Sequence, residues 1–242
     1  MKVPESHPRY NSLKLREKLI EGYKAGIVAE AGLIAHGRGE AFDYLLGEVT
    51  VPEAELAAKA AAKLLLGAEN PVISVNGNVA ALCPAEVVTL AKEASAKLEV
   101  NLFHRTDERV ETIIGHLMNH GAQEVLGANP DARIPGLDHA RALCSGGGIH
   151  SADVVLVPLE DGDRAHALRN MGKTTIVIDL NPLSRSAQSA TVTIVDEVTR
   201  AIPKITGYVG RMKEGAPAHE FNNAKNLETI IDNIRTGAYS SV

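Results

Sequence analysis

Between Ser151 and Pro203 the chain alternates short apolar runs with polar segments. The runs Val154 to Val157, Thr175 to Ile178 and Val192 to Val195 are rich in Val, Ile and Thr, and Gly, Pro, Asp and Asn punctuate the chain between them. Each run predicts a strand. The first two are continuous apolar stretches, as expected of strands covered on both faces, and Gly162 to Met171 between them has the length of a crossover helix. This is the pattern of a right-handed βαβ unit in a parallel sheet. Upstream, Pro71 to Val75 predicts a strand, Pro84 to Leu98 a helix, Glu99 to Phe103 a strand, and Thr106 onward a helix with Val110, Ile113, Ile114, Leu117 and Met118 on one stripe. Glu124 to Gly127 reads as a further strand, and Leu137 to Leu143 as a short helix. Before the first strand lie a helix with Leu13, Leu19, Ile20 and Tyr23 on one side, stopped at Gly26, and an Ala-rich helix from Val51 to Leu66 opened by Pro52. Beyond Pro203 comes a mixed segment, then a last helix from Asn223 to Ile234. Its Leu227, Ile230, Ile231 and Ile234 stripe needs either the domain or a second subunit as partner.

The expected architecture is α/β: a Rossmann-like parallel sheet with helices on both faces and an N-terminal helical segment. A single domain is expected, with residues 1–67 helical, 68–210 the sheet core and 211–242 a helical tail. Composition narrows the function. Hydrophobic residues make up 45% and charged residues 23%, the balance of a folded soluble chain. Trp is absent and aromatics are only 3%, so a stacking platform for single-stranded nucleic acid is not expected. A net charge of -5 gives no basic field for nucleic acid or an anionic membrane. Cys83 and Cys144 stand far apart, no signal peptide is apparent, and no apolar run approaches the ~20 residues of a membrane span. These features predict a cytoplasmic protein with reduced cysteines.

Candidate chemistry follows the strands, because ligands of parallel sheets collect at the carboxyl ends. The second central strand ends in Asp179-Leu180-Asn181-Pro182-Leu183-Ser184-Arg185-Ser186, which brings an acid, an amide, a guanidinium and hydroxyls to that edge. His36-Gly37-Arg38-Gly39-Glu40 reads as a glycine-bearing loop in which Arg38 reaches an anion, or else as a helix-capping turn with surface charges. It is no dinucleotide fingerprint, since Phe42 stands where the third glycine belongs. Arg105 sits at a strand-to-helix turn suited to phosphate, with His104 beside it. Arg16 reads on spacing as part of a solvated helix face. Ser145-Gly146-Gly147-Gly148 is either a phosphate cradle or a flexible connection. Gly172-Lys173-Thr174 ends like a P-loop but enters a strand, so it is a helix stop. No His or Cys pair has zinc-site spacing, and no protein metal site is assigned.

Longer blocks carry a resemblance. Ser6-His7-Pro8-Arg9-Tyr10 with Arg16-Glu17-Lys18, the run from Gly32 to Gly47, Ile134 to Leu137, Ser151 to Asp163, Ile178 to Arg185, Ile194-Val195-Asp196 and Thr199-Arg200-Ala201 closely resemble the archaeal phosphopantothenate synthetases, the 4-phosphopantoate–β-alanine ligases. The match runs from near residue 4 to about residue 210. The resemblance implies an ATP-dependent, Mg²⁺-requiring, homodimeric ligase of coenzyme A synthesis. Such an enzyme joins 4-phosphopantoate to β-alanine and releases AMP and diphosphate. It further implies catalytic roles for His36, Arg38, Glu40 and Arg105, and nucleotide binding by Arg16, Arg38, Asp179, Leu180, Asn181, Arg185, Ser186, Asp196 and Glu197. The expected chemistry is an acyl-adenylate, then attack by the β-alanine amine, with His36, His104 and Glu40 as unranked candidates for the base. Two rivals share the sheet. A nicotinamide oxidoreductase needs a complete glycine fingerprint where the chain has Asn76-Gly77-Asn78, and a non-catalytic nucleotide-sensing module leaves two separate arginine-bearing regions unexplained.

Overall fold

In a computed structural model, which describes residues 4–7, 9–159, 162–214 and 220–239, five parallel strands form one sheet. Pro8 and residues 160 and 161, inside the blocks that carry the resemblance, and residues 215–219 and 240–242 of the expected tail lie outside the described residues. The strands are β1 (Pro71–Val75), β2 (Lys97–Val100), β5 (Val154–Pro158), β6 (Thr174–Ile178) and β7 (Val192–Ile194). Their spatial order is β2-β1-β5-β6-β7. The two missing numbers, β3 (Ala132–Arg133) and β4 (Leu143–Cys144), form a separate antiparallel pair. The order reverses direction between β1 and β5, so the topological switch point lies at the carboxyl ends of those two strands.

Period-two alternation divides the sheet between two cores. Ile73, Val75, Leu156 and Ile176 face one side, where α3 (Pro52–Gly67), α5 (Pro84–Glu93) and α9 (Val198–Lys213) pack. Val72, Val155 and Val157 face the other, against Ile134, Leu137, Ile149 and the Ala167-Leu168 side of α7 (Gly162–Asn170). α7 joins β5 to β6, which pair in parallel from Val154↔Thr174 to Pro158↔Ile178, as the apolar runs predict. Gly172 stops the connection with φ 78°. The last helix, α10 (Asn223–Thr236), packs on α3 of the same chain, and Asn226 Nδ2 donates to Glu53 O at 3.1 Å.

Several expectations are corrected. The helix predicted to reach Leu98 stops at Glu93, because Ser95 adopts φ 51°, and β2 then begins at Lys97 and ends at Val100, so it does not run from Glu99 to Phe103. Glu124 to Gly127 yields a single bridge, Leu126 to Glu99, and no strand. Leu137 to Leu143 is only a 3-10 turn over Ala140–Ala142. The chain after Pro203 continues as helix to Lys213: α9 starts at Val198, capped by the Glu197 carboxylate that accepts from Thr199 N at 2.7 Å, and carries Pro203 in its second turn at the expense of one backbone hydrogen bond.

The glycine run before β5 is neither a phosphate cradle nor a flexible connection. It folds into a tight turn, Gly146–His150, around carboxylates of the protein itself. Ser145 N and Ile149 N donate to Glu99 Oε1 and Oε2 at 2.8 and 2.7 Å, and Gly146 N donates to Asp131 Oδ1 at 2.6 Å. Burial nonetheless raises the Glu99 carboxyl above its ordinary range, the backbone donors only partly offsetting the desolvation. A β-carbon on Gly148 would stand 2.0 Å from Glu99 Oε2 and 2.9 Å from Leu126 Cδ1. Because that carboxylate is buried and held by two donors, Gly148→Ala is expected to lose about 1–3 kcal/mol of stability. Urea denaturation measures this directly. An unchanged midpoint and slope would mean that Glu99 swings aside freely.

Candidate active site

All five carboxyl ends of the sheet open into one cleft of about 1010 Å³. β1 supplies Asn76 and Gly77, β2 leads to Leu102, Phe103 and His104, β5 ends at Leu159, β6 delivers Asp179, Leu180 and Asn181, and β7 leads to Glu197 and Thr199. Asn76 sits at the switch point and uses its whole amide. Its Oδ1 accepts from Val79 N at 3.1 Å, capping α4 (Gly77–Leu82), while Nδ2 donates to Pro158 O and Leu159 O at 3.0 and 3.1 Å. It therefore ties the end of β1 to the end of β5.

Two N-terminal helices, α1 (Tyr10–Lys24) and α2 (Glu30–Leu45), cover the cleft. The His36 to Glu40 segment, read from the sequence as a loop or capping turn, lies in the middle of α2. Ala, Leu and Glu neighbours carry the helix through its glycines, which cost roughly 1 kcal/mol each relative to Ala. A β-carbon on Gly37 would meet nothing within 4 Å, and one on Gly39 only Leu180 Cδ1 at 3.4 Å. The protein's own packing does not require either glycine.

Paired charges hold this roof. Glu40 is 8% exposed and accepts from Arg16 Nη2 at 2.6 Å, Arg16 Nε at 3.0 Å and Arg9 Nη2 at 3.3 Å. The Glu40 bond is also what raises the proton affinity of Arg16. Asp43, on the next turn of α2, is paired with both Nη atoms of Arg200 on α9, Nη1 at 3.1 Å. Arg200 also donates through Nε at 2.8 Å to the fully buried Asp196, which accepts from Thr50 Oγ1 at 2.7 Å. Burial raises both the Asp196 and Glu197 carboxyls above their usual range, with Arg200 pulling each back down.

The remaining cleft groups are less committed. Arg38 is exposed and makes no hydrogen bond or ion pair with any described residue. Asp179 accepts from Asn181 N at 2.9 Å and from Ser184 Oγ, and burial raises its carboxyl against the opposing influence of those bonds and of the Arg38 charge. His36 Nε2 is buried without a hydrogen-bond partner among the described residues, and burial lowers its proton affinity below that of an ordinary imidazole. A neutral ring able to accept a proton thus faces the cleft.

Of the residues named from the sequence, the structure brings His36, Arg38, Glu40, Asp179, Leu180, Asn181 and Glu197 together in the lining, with Arg16 behind Glu40. His104, another candidate base, also lines the cleft, whereas Arg105, Arg185, Ser186 and Asp196 do not. Arg105 is 8% exposed and turns away to donate to Gly127 O and Ala128 O at 2.8 and 3.0 Å, so its guanidinium stitches a loop. Arg185 points outward to Asp163 at 2.6 Å, Ser186 is buried in α8 (Arg185–Ser189), and Asp196 lies behind Arg200. The sequence reading missed Arg9, Asp43, Asn76, Arg109, Arg141 and Arg200 as parts of the site. For Asn76 a signal existed, an Asn-Gly-Asn turn leaving a strand; Arg9, Arg109 and Arg200 reach Glu40, Ile27 and Asp43, partners distant in sequence that no local pattern marks.

An open parallel sheet with a cation-bearing cleft at its switch point defines an α/β protein of the doubly wound class, whose ligands collect at that edge. Comparison with known proteins narrows the class: the chain belongs to the phosphopantothenate/pantothenate synthetase family, whose model matches residues 53–237. It is 55% identical over 240 residues to the 4-phosphopantoate–beta-alanine ligase of Thermococcus kodakarensis, covering 96% of this chain and 92% of the relative. It is 56% identical over 234 residues to the protein of that name from Methanosarcina mazei (97% and 90%), and 60% identical over 206 residues to that of Methanospirillum hungatei (85% and 84%). Among the described residues no helix is long and apolar enough to cross a membrane, and no group of three or more His, Cys, Asp or Glu is arranged to hold a metal ion.

The roof's attachment predicts how stability depends on Arg200. Its side chain is 26% exposed while Asp43 and Asp196 are 9% and 0% exposed, so Arg200→Met leaves two buried carboxylates without their cation. A loss of about 3 kcal/mol near neutral pH is expected, the low end for breaking a buried pair. The sign with pH follows from Asp196. Its folded-state carboxyl is already raised, and removing Arg200 raises it further, so the folded variant holds a proton that the unfolded chain releases. The deficit is therefore smallest below the unfolded carboxylate pKa and grows as pH rises through the folded one. Thermal melts across about pH 4–7 test this. A deficit independent of pH would rule out uncompensated carboxylates as its cause.

Proposed function

We propose that this chain is a 4-phosphopantoate–β-alanine ligase that activates its acid as an adenylate at the expense of ATP. The observation that carries the reading is the confluence, in one cleft, of a cation without an internal partner (Arg38), a strand-end acid and amide (Asp179, Asn181), and a neutral buried imidazole (His36). Two highly anionic substrates and an incoming amine call for such a set. The names of the relatives support the choice of substrates.

In this reading ATP lies beneath α2. Asp179 and Asn181 take ribose hydroxyls or the adenine edge, as acids after sheet strands do, and Arg38 takes phosphate. The phosphopantoate carboxylate attacks the α-phosphorus and diphosphate departs, giving the acyl-adenylate. The β-alanine amine then attacks the acyl carbon, AMP leaves, and the amine proton passes to a base. His36 is the base best suited by its environment, since burial keeps it neutral at physiological pH. Glu40 is bound to two arginines, so it holds α1 against α2 instead of moving protons. Glu197 in the cleft lining would help to hold Mg²⁺, which would offset charge on the departing diphosphate. A homodimer belongs to the same reading.

The purified protein supplied with ATP, 4-phosphopantoate and β-alanine should form AMP, diphosphate and amide in equal amounts. ADP and phosphate in their place would exclude the adenylate and favour an acyl-phosphate route. Arg38→Lys keeps the charge but not the planar fork, so its kcat/KM should fall roughly tenfold to a hundredfold, the equivalent of one charge-assisted contact. Wild-type kinetics in a folded Arg38→Lys variant would assign the phosphate contact elsewhere.

A further inference from the structure

α2 carries three glycines, and the packing of the protein accounts for one. A β-carbon on Gly32 would stand 2.3 Å from Asn78 Oδ1, and Asn78 Nδ2 donates to Gly32 O at 2.8 Å, so the first turn of the roof rests on α4 through that glycine. Gly37 and Gly39 have no such neighbour, and neither adopts a positive φ that would call for glycine. Each weakens the helix relative to alanine.

The two point in different directions. Residues two apart lie about 200° apart around a helix, so Gly37 and Gly39 occupy opposite faces. Gly39 lines the cleft with Gly32, Ala35 and Asp43, whereas Gly37 is exposed and outside the lining. A β-carbon on Gly39 would project toward Leu180 Cδ1 at 3.4 Å, an ordinary contact, and would meet nothing else within 4 Å apart from its own helix and chain neighbours. Leu180 follows Asp179 at the end of β6 and is 6% exposed. Position 39 is therefore where the roof comes down on the β6 end, with open cleft beside it. Arg38 is the next residue on the roof, has no hydrogen-bond or ion-pair partner among the described residues, and stands near enough for its charge to pull the buried Asp179 carboxyl down. A nucleotide that reaches both Arg38 and Asp179 must run along this face of α2, and bare backbone lets it lie against the helix.

We propose that Gly39 is a specificity-determining residue for the nucleotide: its lack of a side chain leaves the space in which ribose and phosphates pack against α2. This rests on the ligase reading, in which ATP lies beneath α2. The roof gives up helix stability at this position in exchange for ligand contact.

Titration calorimetry with ATP, thermal melts and steady-state kinetics of Gly39→Ala and Gly37→Ala test it. Both substitutions restore helix propensity, so both variants should melt at or above the wild-type temperature. Gly39→Ala should raise the Kd for ATP at least about tenfold, equivalent to about 1.4 kcal/mol and near the low end for forcing an extra carbon into filled space, while the KM for 4-phosphopantoate stays within about twofold. Gly37→Ala should leave both values within about twofold. An unchanged ATP affinity in Gly39→Ala would mean that no ligand touches this face, and a lower melting temperature would assign the glycine to its contact with Leu180. Equal weakening in both variants would trace the effect to the helix itself, and a rise confined to the KM for 4-phosphopantoate would place the other substrate there. Any of these four results overturns the proposal. A wild type that binds ATP but forms no amide would instead overturn the ligase reading, with the comparison of Kd values still deciding Gly39, so the two failures are distinct.

Discussion

The pairing of Arg200 with Asp43 and Asp196 is the constraint on which the site depends. A parallel sheet exposes the carboxyl ends of its strands along one edge, but an edge alone is a shallow shelf. Here α2 lies across it because Asp43, Arg200, Asp196 and Thr50 form a chain of polar contacts from the roof helix through α9 to the end of β7. Glu40, one turn away on α2, fastens α1 through Arg16 and Arg9. Buried ion pairs are weak sources of net stability, since desolvation offsets much of their attraction. What they supply here is position: they fix a helix bearing Arg38 and His36 over the strand ends.

This arrangement also sorts the charges of the cleft by function. Cations facing carboxylates are internally neutralised and act as fasteners. Arg38, exposed on the roof, has no hydrogen-bond or ion-pair partner among the described residues. In the proposed reaction, holding both reactants against one edge supplies much of the rate by proximity.

The sheet was largely legible in the sequence, because strands buried on both faces must be apolar along their length: Val154 to Val157, Thr175 to Ile178 and Val192 to Val195 fall on β5, β6 and β7. The strand-end group at Asp179 to Asn181 followed from topology. The character of His36 to Glu40 did not, since glycines at that spacing suggest a loop, and tertiary ties at Glu40 and Asp43 overrule the local propensity. Arg105 misled for the opposite reason. Its place after a strand suits phosphate, but the Gly127 and Ala128 carbonyls claim it first. Arg109, four residues on, stood unremarked because nothing local shows that Gly77 leaves room for its guanidinium.

The central claim is that one cleft, roofed by α2 at the carboxyl edge of the sheet, receives both anionic substrates. Amide hydrogen exchange of the protein with and without ATP plus 4-phosphopantoate tests it most directly. Protection should rise along α2, at the Asn76 to Asn78 turn, and over Asp179 to Ser184, and it should leave the Gly146–His150 turn at the amino edge unchanged. Protection at that turn with none along α2 would contradict the account.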